Sequence, residues 1–125
     1  MINKVLQIIK ERKDFDKVKF IILYGSVAQG KDREDSDIDL CVYYEGSRLD
    51  ASRFRLETLS EILSDEIDLQ IYQQLPLYIR KDVLKGELLY SQDNHFLHDV
   101  ACQTIKEFED FKRHYYHYIG EEFIT

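Results

Sequence analysis

The chain is short of the residues that break, staple or thread a fold. Its 125 residues include no tryptophan, one proline, one methionine, five glycines and two cysteines. So little proline and glycine argues against a long disordered stretch or linker. Cys41 and Cys102 lie far apart and offer neither a disulfide framework nor a zinc-ligand spacing. Cys41 sits in an apolar run and reads as a small buried hydrophobe. No run approaches the roughly 18 apolar residues of a membrane span. The opening MINKVLQIIKERKDF is charged and amphipathic, unlike a secretory signal. Together these absences predict a reducing, cytoplasmic setting with no membrane partner. Basic charge is also scarce: 17 Lys and Arg stand against 24 Asp and Glu, a net charge of −7. Direct duplex nucleic-acid binding needs a basic face, which this balance disfavours. A nucleotide, whose charge metal and backbone can meet, stays compatible with it.

What is present is a globular composition, 44% hydrophobic with nine Tyr and seven Phe. The length predicts a single domain over 1–125, since a chain of this size buries about two-thirds of its extended surface. Ile2, Val5, Leu6 and Ile9 recur at helical spacing. Val18–Tyr24 is a β-rich run ending at Gly25, and Asp37–Tyr44 alternates as a second strand. Ala51–Leu63 has a helical apolar pattern, with Asp50 or Ser52 as its expected cap. Glu66–Tyr72 alternates again as a third strand. Pro76 is expected to open a helix to about Lys85, stopped by Gly86. Leu88–Tyr90 reads as a short edge strand. From about Asn94, a helical stripe of Leu97, Ala101, Ile105, Phe108, Phe111 and Tyr115 runs toward the C-terminus. The expected fold class is α/β (α+β): a small mixed sheet with helices mainly on one face, leaving an acidic face open.

The chemistry-bearing stretch is GSVAQGKDREDSDIDL, from Gly25 to Leu40. Gly25 permits a tight turn and close backbone approach, and the Ser26 hydroxyl and N–H can donate to phosphate oxygens. The spacing is not that of a Walker loop. Asp37 and Asp39 share one face of a strand, about 7 Å apart at Cα, while Ile38, Leu40 and Val42 face the core. Two like charges beside a buried strand are expensive unless a cation lies between them. Asp68, between Ile67 and Leu69, repeats the pattern. If its strand pairs beside Asp37–Leu40, three carboxylates from two strands can hold two Mg²⁺ ions roughly 3.5–4 Å apart, the arrangement for in-line nucleotidyl transfer. A Gly-Ser turn alone is usually just a turn, and an Asp-x-Asp pair alone is usually a solvated surface pair. Their order along one chain, strand–turn–Asp-x-Asp–helix–strand-Asp, is what gives them meaning together.

At Gly25, Ser26, Asp37, Asp39 and Asp68 the chain resembles the minimal nucleotidyltransferases of the DNA polymerase β-like superfamily, and Ser36–Leu40 matches their SDxDL form. The stretch from Ile67 to Tyr90 and the long C-terminal helix are similar to the MNT-domain antitoxins of HEPN/MNT toxin–antitoxin pairs. The resemblance implies a polymerase β-like nucleotidyltransferase fold. It implies Asp37, Asp39 and Asp68 as catalytic and metal-holding residues, with Gly25, Ser26 and Ser36 toward the nucleotide. It further implies Mg²⁺ and ATP, a HEPN-domain toxin as partner, and transfer of AMP to a toxin tyrosine. One departure is Gln29 between Ala28 and Gly30, where the family often has Arg.

Two other readings compete: a non-catalytic module that neutralises a toxin by covering it, and a nucleotidyltransferase for a small molecule such as an aminoglycoside. Intact acids favour catalysis. The small-molecule enzymes usually carry additional helical structure that this length leaves little room for. The cluster Arg113-His114-Tyr115-Tyr116-His117-Tyr118 reads as an aromatic helix end packing on the sheet or on another subunit, which leaves room for homo- or hetero-oligomers. His95 and His98 share a helical face and read as surface histidines.

Overall fold

A computed structural model of the chain describes residues 1–25 and 38–124, with side chains as far as Tyr115. Helix α1 (Ile2–Lys10) buries Val5 and Ile9. Strand β1 (Val18–Tyr24) follows after one 3-10 turn and ends where the sequence places it, at Gly25. Strand β2 is Ile38–Tyr44.

Helix α2 (Arg48–Ile62) starts three residues before the expected Ala51. The reason is its cap. Ser47 Oγ accepts the Asp50 N–H at 3.1 Å, so the cap is Ser47 and neither Asp50 nor Ser52. Leu63 closes the helix in the left-handed region at φ 54°.

Strand β3 (Ile67–Ile71) is shorter than expected by one residue at each end, because Tyr72 begins a 3-10 turn. Helix α3 (Leu77–Val83) follows Pro76, and β4 spans Glu87–Ser91. Gly86 lies between them for a steric reason: a Cβ there would collide with the Leu23 carbonyl of β1. Helix α4 runs Asn94–Ile124. Asp93 Oδ1 caps it, accepting the N–H groups of His95 and Phe96.

The four strands form one mixed sheet in the order β3-β2-β1-β4. The β1–β2 and β1–β4 pairs are antiparallel, and β2–β3 is parallel. Strand alternation sorts the core into two layers. One face presents Val18, Ile21, Leu23, Leu40, Val42, Ile67, Leu69 and Ile71 to Val5 and Ile9 of α1 and to Ala51 and Phe54 of α2. Each such side chain contributes about 1.5–3 kcal/mol when fully buried. The acid-bearing face also receives helices, over part of its area. Phe20, Ile22, Cys41 and Tyr72 are buried there with Val83 of α3, against Phe96, Leu97 and Val100 of α4. Cys41 is a buried free thiol, as its apolar surroundings predict. Among the described residues no helix is long and apolar enough to cross a membrane.

The first half of α4 does the packing. Thr104 is buried, and Phe108 lies under the Lys81 ammonium at 4.4 Å. Beyond it Phe111 and Tyr115 stack on each other in solvent. Of the expected aromatic helix end, Arg113 to Tyr118, Tyr115 therefore does not pack on the sheet.

Candidate active site

The acid-bearing face is ordered in rows across the strands. Tyr24, Asp39 and Asp68 lie side by side on β1, β2 and β3. Ile22, Cys41 and Gln70 form the next row, and Phe20 pairs with Tyr43 in the third. The register that brings Asp39 and Asp68 together is fixed from the other face. Ile38 pairs with Ile67 and Leu40 with Leu69, and both leucines are fully buried. A slip of one residue would turn those side chains to water and the acids into the core. The expected pairing of the third strand beside the second is thus what the sheet shows, with the two acids on adjacent strands about 4.8 Å apart.

Gly25 occupies the left-handed region at φ +81°, and a Cβ there would sit 2.5 Å from Asp39 Oδ2. Glycine is needed twice over, for the backbone angle and for the space beside the carboxylate. Asp68 is held by Gln70, whose Nε2 donates to Oδ2 at 2.9 Å and Oδ1 at 3.1 Å. The Arg55 guanidinium lies 3.8 Å from Asp68 Oδ1. Burial pushes the Tyr24 phenol well above its usual range, with Cys41, Asp39 and Asp68 adding to the shift. Tyr24 therefore stays a neutral hydroxyl at the edge of the acid row. Burial pushes the Cys41 thiol up in the same way, so it is no nucleophile.

Asp39 and Asp68 offer hard carboxylate oxygens on adjacent strands, and both residues are only partly buried. That donor chemistry fits Mg²⁺ rather than a softer metal. Asp37, Ser26 and Ser36 lie outside the described residues, as do Gln29, Lys31 and Arg33. The described residues alone contain no group of three or more His, Cys, Asp or Glu placed to hold a metal. Two of the three expected acids are thus seen together.

Three neighbours were not singled out from sequence. Tyr24 and Gln70 were readable in principle, being two residues from Ile22 and Asp68 on alternating strands. Arg55 carried no signal, because it reaches Asp68 from a helix on the other face. The remaining candidates are accounted for locally on α4. His95 pairs with Asp99 at 3.2 Å, His98 lies 3.5 Å from Cys102 Sγ, and Arg113 pairs with Asp110. The side chains of Tyr116, His117 and Tyr118 are outside the described set.

The family model described as polymerase beta, nucleotidyltransferase, matches residues 3–95. The chain is 38% identical over 97 residues to a proposed protein adenylyltransferase of Methanocaldococcus jannaschii, covering 78% of this chain and 75% of that protein. A second proposed protein adenylyltransferase of the same organism is 33% identical over 81 residues, covering 62% of this chain and 81% of that one. A crystal structure of a toxin–antitoxin with AMP-PNP is similar in fold, with a TM-score of 0.72 at 20% identity over 95% of each chain. So is a complex of a tri-AMPylated Shewanella oneidensis HEPN toxin with an MNT antitoxin, at a TM-score of 0.67 and 19% identity over 95% of this chain and 92% of that one. The matched span holds Gly25, Asp39 and Asp68 on the elements that bring them together, and the chain belongs to the polymerase β nucleotidyltransferase family.

Proposed function

We propose that residues 1–125 act as a single catalytic domain that transfers the adenylyl group of ATP to a protein hydroxyl, with a tyrosine of a HEPN-domain toxin as acceptor, and so serve as its antitoxin. The observation that carries this reading is the in-register pair Asp39 and Asp68 beside the left-handed Gly25. The names of the curated relatives support protein adenylylation. The fold neighbours solved with AMP-PNP and with an AMPylated HEPN toxin support the nucleotide and the partner.

Asp37, Asp39 and Asp68 would hold Mg²⁺, two ions in the fullest arrangement, with Gly25, Ser26 and Ser36 toward the phosphates. Bound Mg²⁺ would supply charge for the triphosphate and lower the pKa of the acceptor hydroxyl. In the transfer, the acceptor oxygen bonds to the α-phosphorus and the bond to the pyrophosphate oxygen breaks. The hydroxyl proton would leave toward the acid row, where Asp68, hydrogen-bonded by Gln70, would take it. Tyr24, protonated throughout, can donate a hydrogen bond at the edge of that row. Positioning and charge account for most of the catalysis in reactions of this kind.

Incubation of the chain and its HEPN partner with ATP labelled at the α-phosphate tests the reading. Label on the toxin that disappears in Asp37→Asn and Asp39→Asn is the expected result. Toxin inhibition that survives both substitutions, with no label transferred, would leave a module that acts by covering its partner.

A further inference from the structure

We infer that Arg55 is the resident counter-ion of Asp68 and competes with a divalent cation for that carboxylate, making it a residue that sets how readily the site loads metal. The inference rests on Asp68 being a metal ligand, as proposed above.

β3 is an edge strand, with β2 on one side only. Arg55 belongs to α2, which packs on the opposite face from the acids. Its side chain wraps the open edge of β3, and Nε donates to the Leu69 carbonyl at 2.6 Å. That bond anchors the guanidinium where its other arm stands 3.8 Å from Asp68 Oδ1. Arg55 is thus tied to the main chain beside the acid rather than swinging free in solvent.

Gln70 holds the same carboxylate through a neutral amide. The two neighbours therefore act with opposite sign on a metal. Gln70 fixes the oxygens without opposing a cation, and a carboxylate has lone pairs left over after that bond. Arg55 places positive charge where a divalent ion would bring its own. The Arg55 and Asp68 side chains are 30% and 44% exposed, so the opposition is screened and modest. A pair of this kind shifts an affinity by up to about fivefold. That size suits a brake rather than a block. Without metal, Arg55 offsets the charge of the acid row; a cation binding at Asp68 must do so against it.

The probe is Mn²⁺ alone, titrated into the full chain without nucleotide and followed by the loss of the free-ion electron paramagnetic resonance signal. Arg55→Gln should bind Mn²⁺ more tightly than the native chain, by up to about fivefold. Arg55→Lys, which keeps the charge but loses the two-armed guanidinium that bonds Leu69 and faces Asp68 at once, should fall between the native chain and Arg55→Gln. Gln70→Leu should bind more weakly, because Asp68 is no longer held. In an Asp68→Asn background, Arg55→Gln should change nothing. Arg55→Met, which keeps the unbranched stem, is the second neutral variant, so the result does not hinge on one substitution folding; circular dichroism checks both. Unchanged or weaker binding in folded Arg55→Gln or Arg55→Met, while Asp68→Asn still weakens binding, overturns the competition and leaves the site reading standing. If Asp68→Asn binds Mn²⁺ as well as the native chain, Asp68 is no ligand and both fall.

Discussion

The two ends of one sheet face differ in almost every respect. At one end Phe20, Tyr43 and Tyr72 pack edge to face and tilted with one another and with Phe96 of α4, with centroids 5.0–5.9 Å apart. At the other, two rows away, Tyr24, Asp39 and Asp68 stand half-exposed beside Gly25. The aromatic end is closed by α3 and α4, and the acid end is where that cover stops. Strands supply both ends through the same alternation. One face can therefore be core and site at once, provided the helices roof only part of it. The aromatic end fixes where the strands lie; in the acid row Tyr24 still packs against that core, while Asp39 and Asp68 carry the polar chemistry.

Substitutions can break this division of labour. The largest effect is expected from Phe20→Ala at the aromatic end. Phe20 is fully buried, and its loss should cost about 3–5 kcal/mol in denaturant unfolding. Asp39→Asn at the acid end should do the converse: midpoints close to native, and adenylyl transfer reduced at least about 100-fold. Gly25→Ala should touch both properties, since its Cβ would meet Asp39 Oδ2 at 2.5 Å and its φ is +81°. The left-handed angle alone should cost about 1–2 kcal/mol by thermal unfolding, with transfer falling as the carboxylate is displaced. The smallest effect is expected from Tyr72→Phe. The Tyr72 hydroxyl bonds Thr104 in a buried pair, so its removal should cost about 1 kcal/mol and leave transfer unchanged. A large loss of transfer in Tyr72→Phe without unfolding would show that the two ends are coupled.

The acid end was more legible in the sequence than the aromatic end. Asp39 and Asp68 each sit between apolar neighbours at strand spacing, so alternation alone assigns them a common face once the strands pair. β1 was legible to the residue, because a continuous β-rich run meets Gly25 without ambiguity. The start of α2 was not, because the choice among Ser47, Asp50 and Ser52 depends on which hydroxyl or carboxylate meets an N–H in three dimensions. The role of Gly86 was read as a helix stop, whereas a close approach to Leu23 of β1 explains it. That approach is a contact between distant segments, and local pattern carries no trace of it. The same holds for the roof over the aromatic end. The stripe on α4 was visible, but which of its residues meet the sheet was not, so Thr104 is buried while Phe111 and Tyr115 stay in solvent. Arg55 is the extreme case, a helix residue whose relevance exists only because α2 lies behind an edge strand.

The central claim is that Asp39 and Asp68, brought together from adjacent strands, work as one unit in adenylyl transfer. It is tested most directly by the rate of label transfer from ATP in a cycle of Asp39→Asn, Asp68→Asn and the double substitution. Residues that serve one unit are non-additive. Each single change should remove nearly all transfer, and the double change should be scarcely worse than either. Independent, multiplying losses, or a single variant that transfers at the native rate, would contradict it.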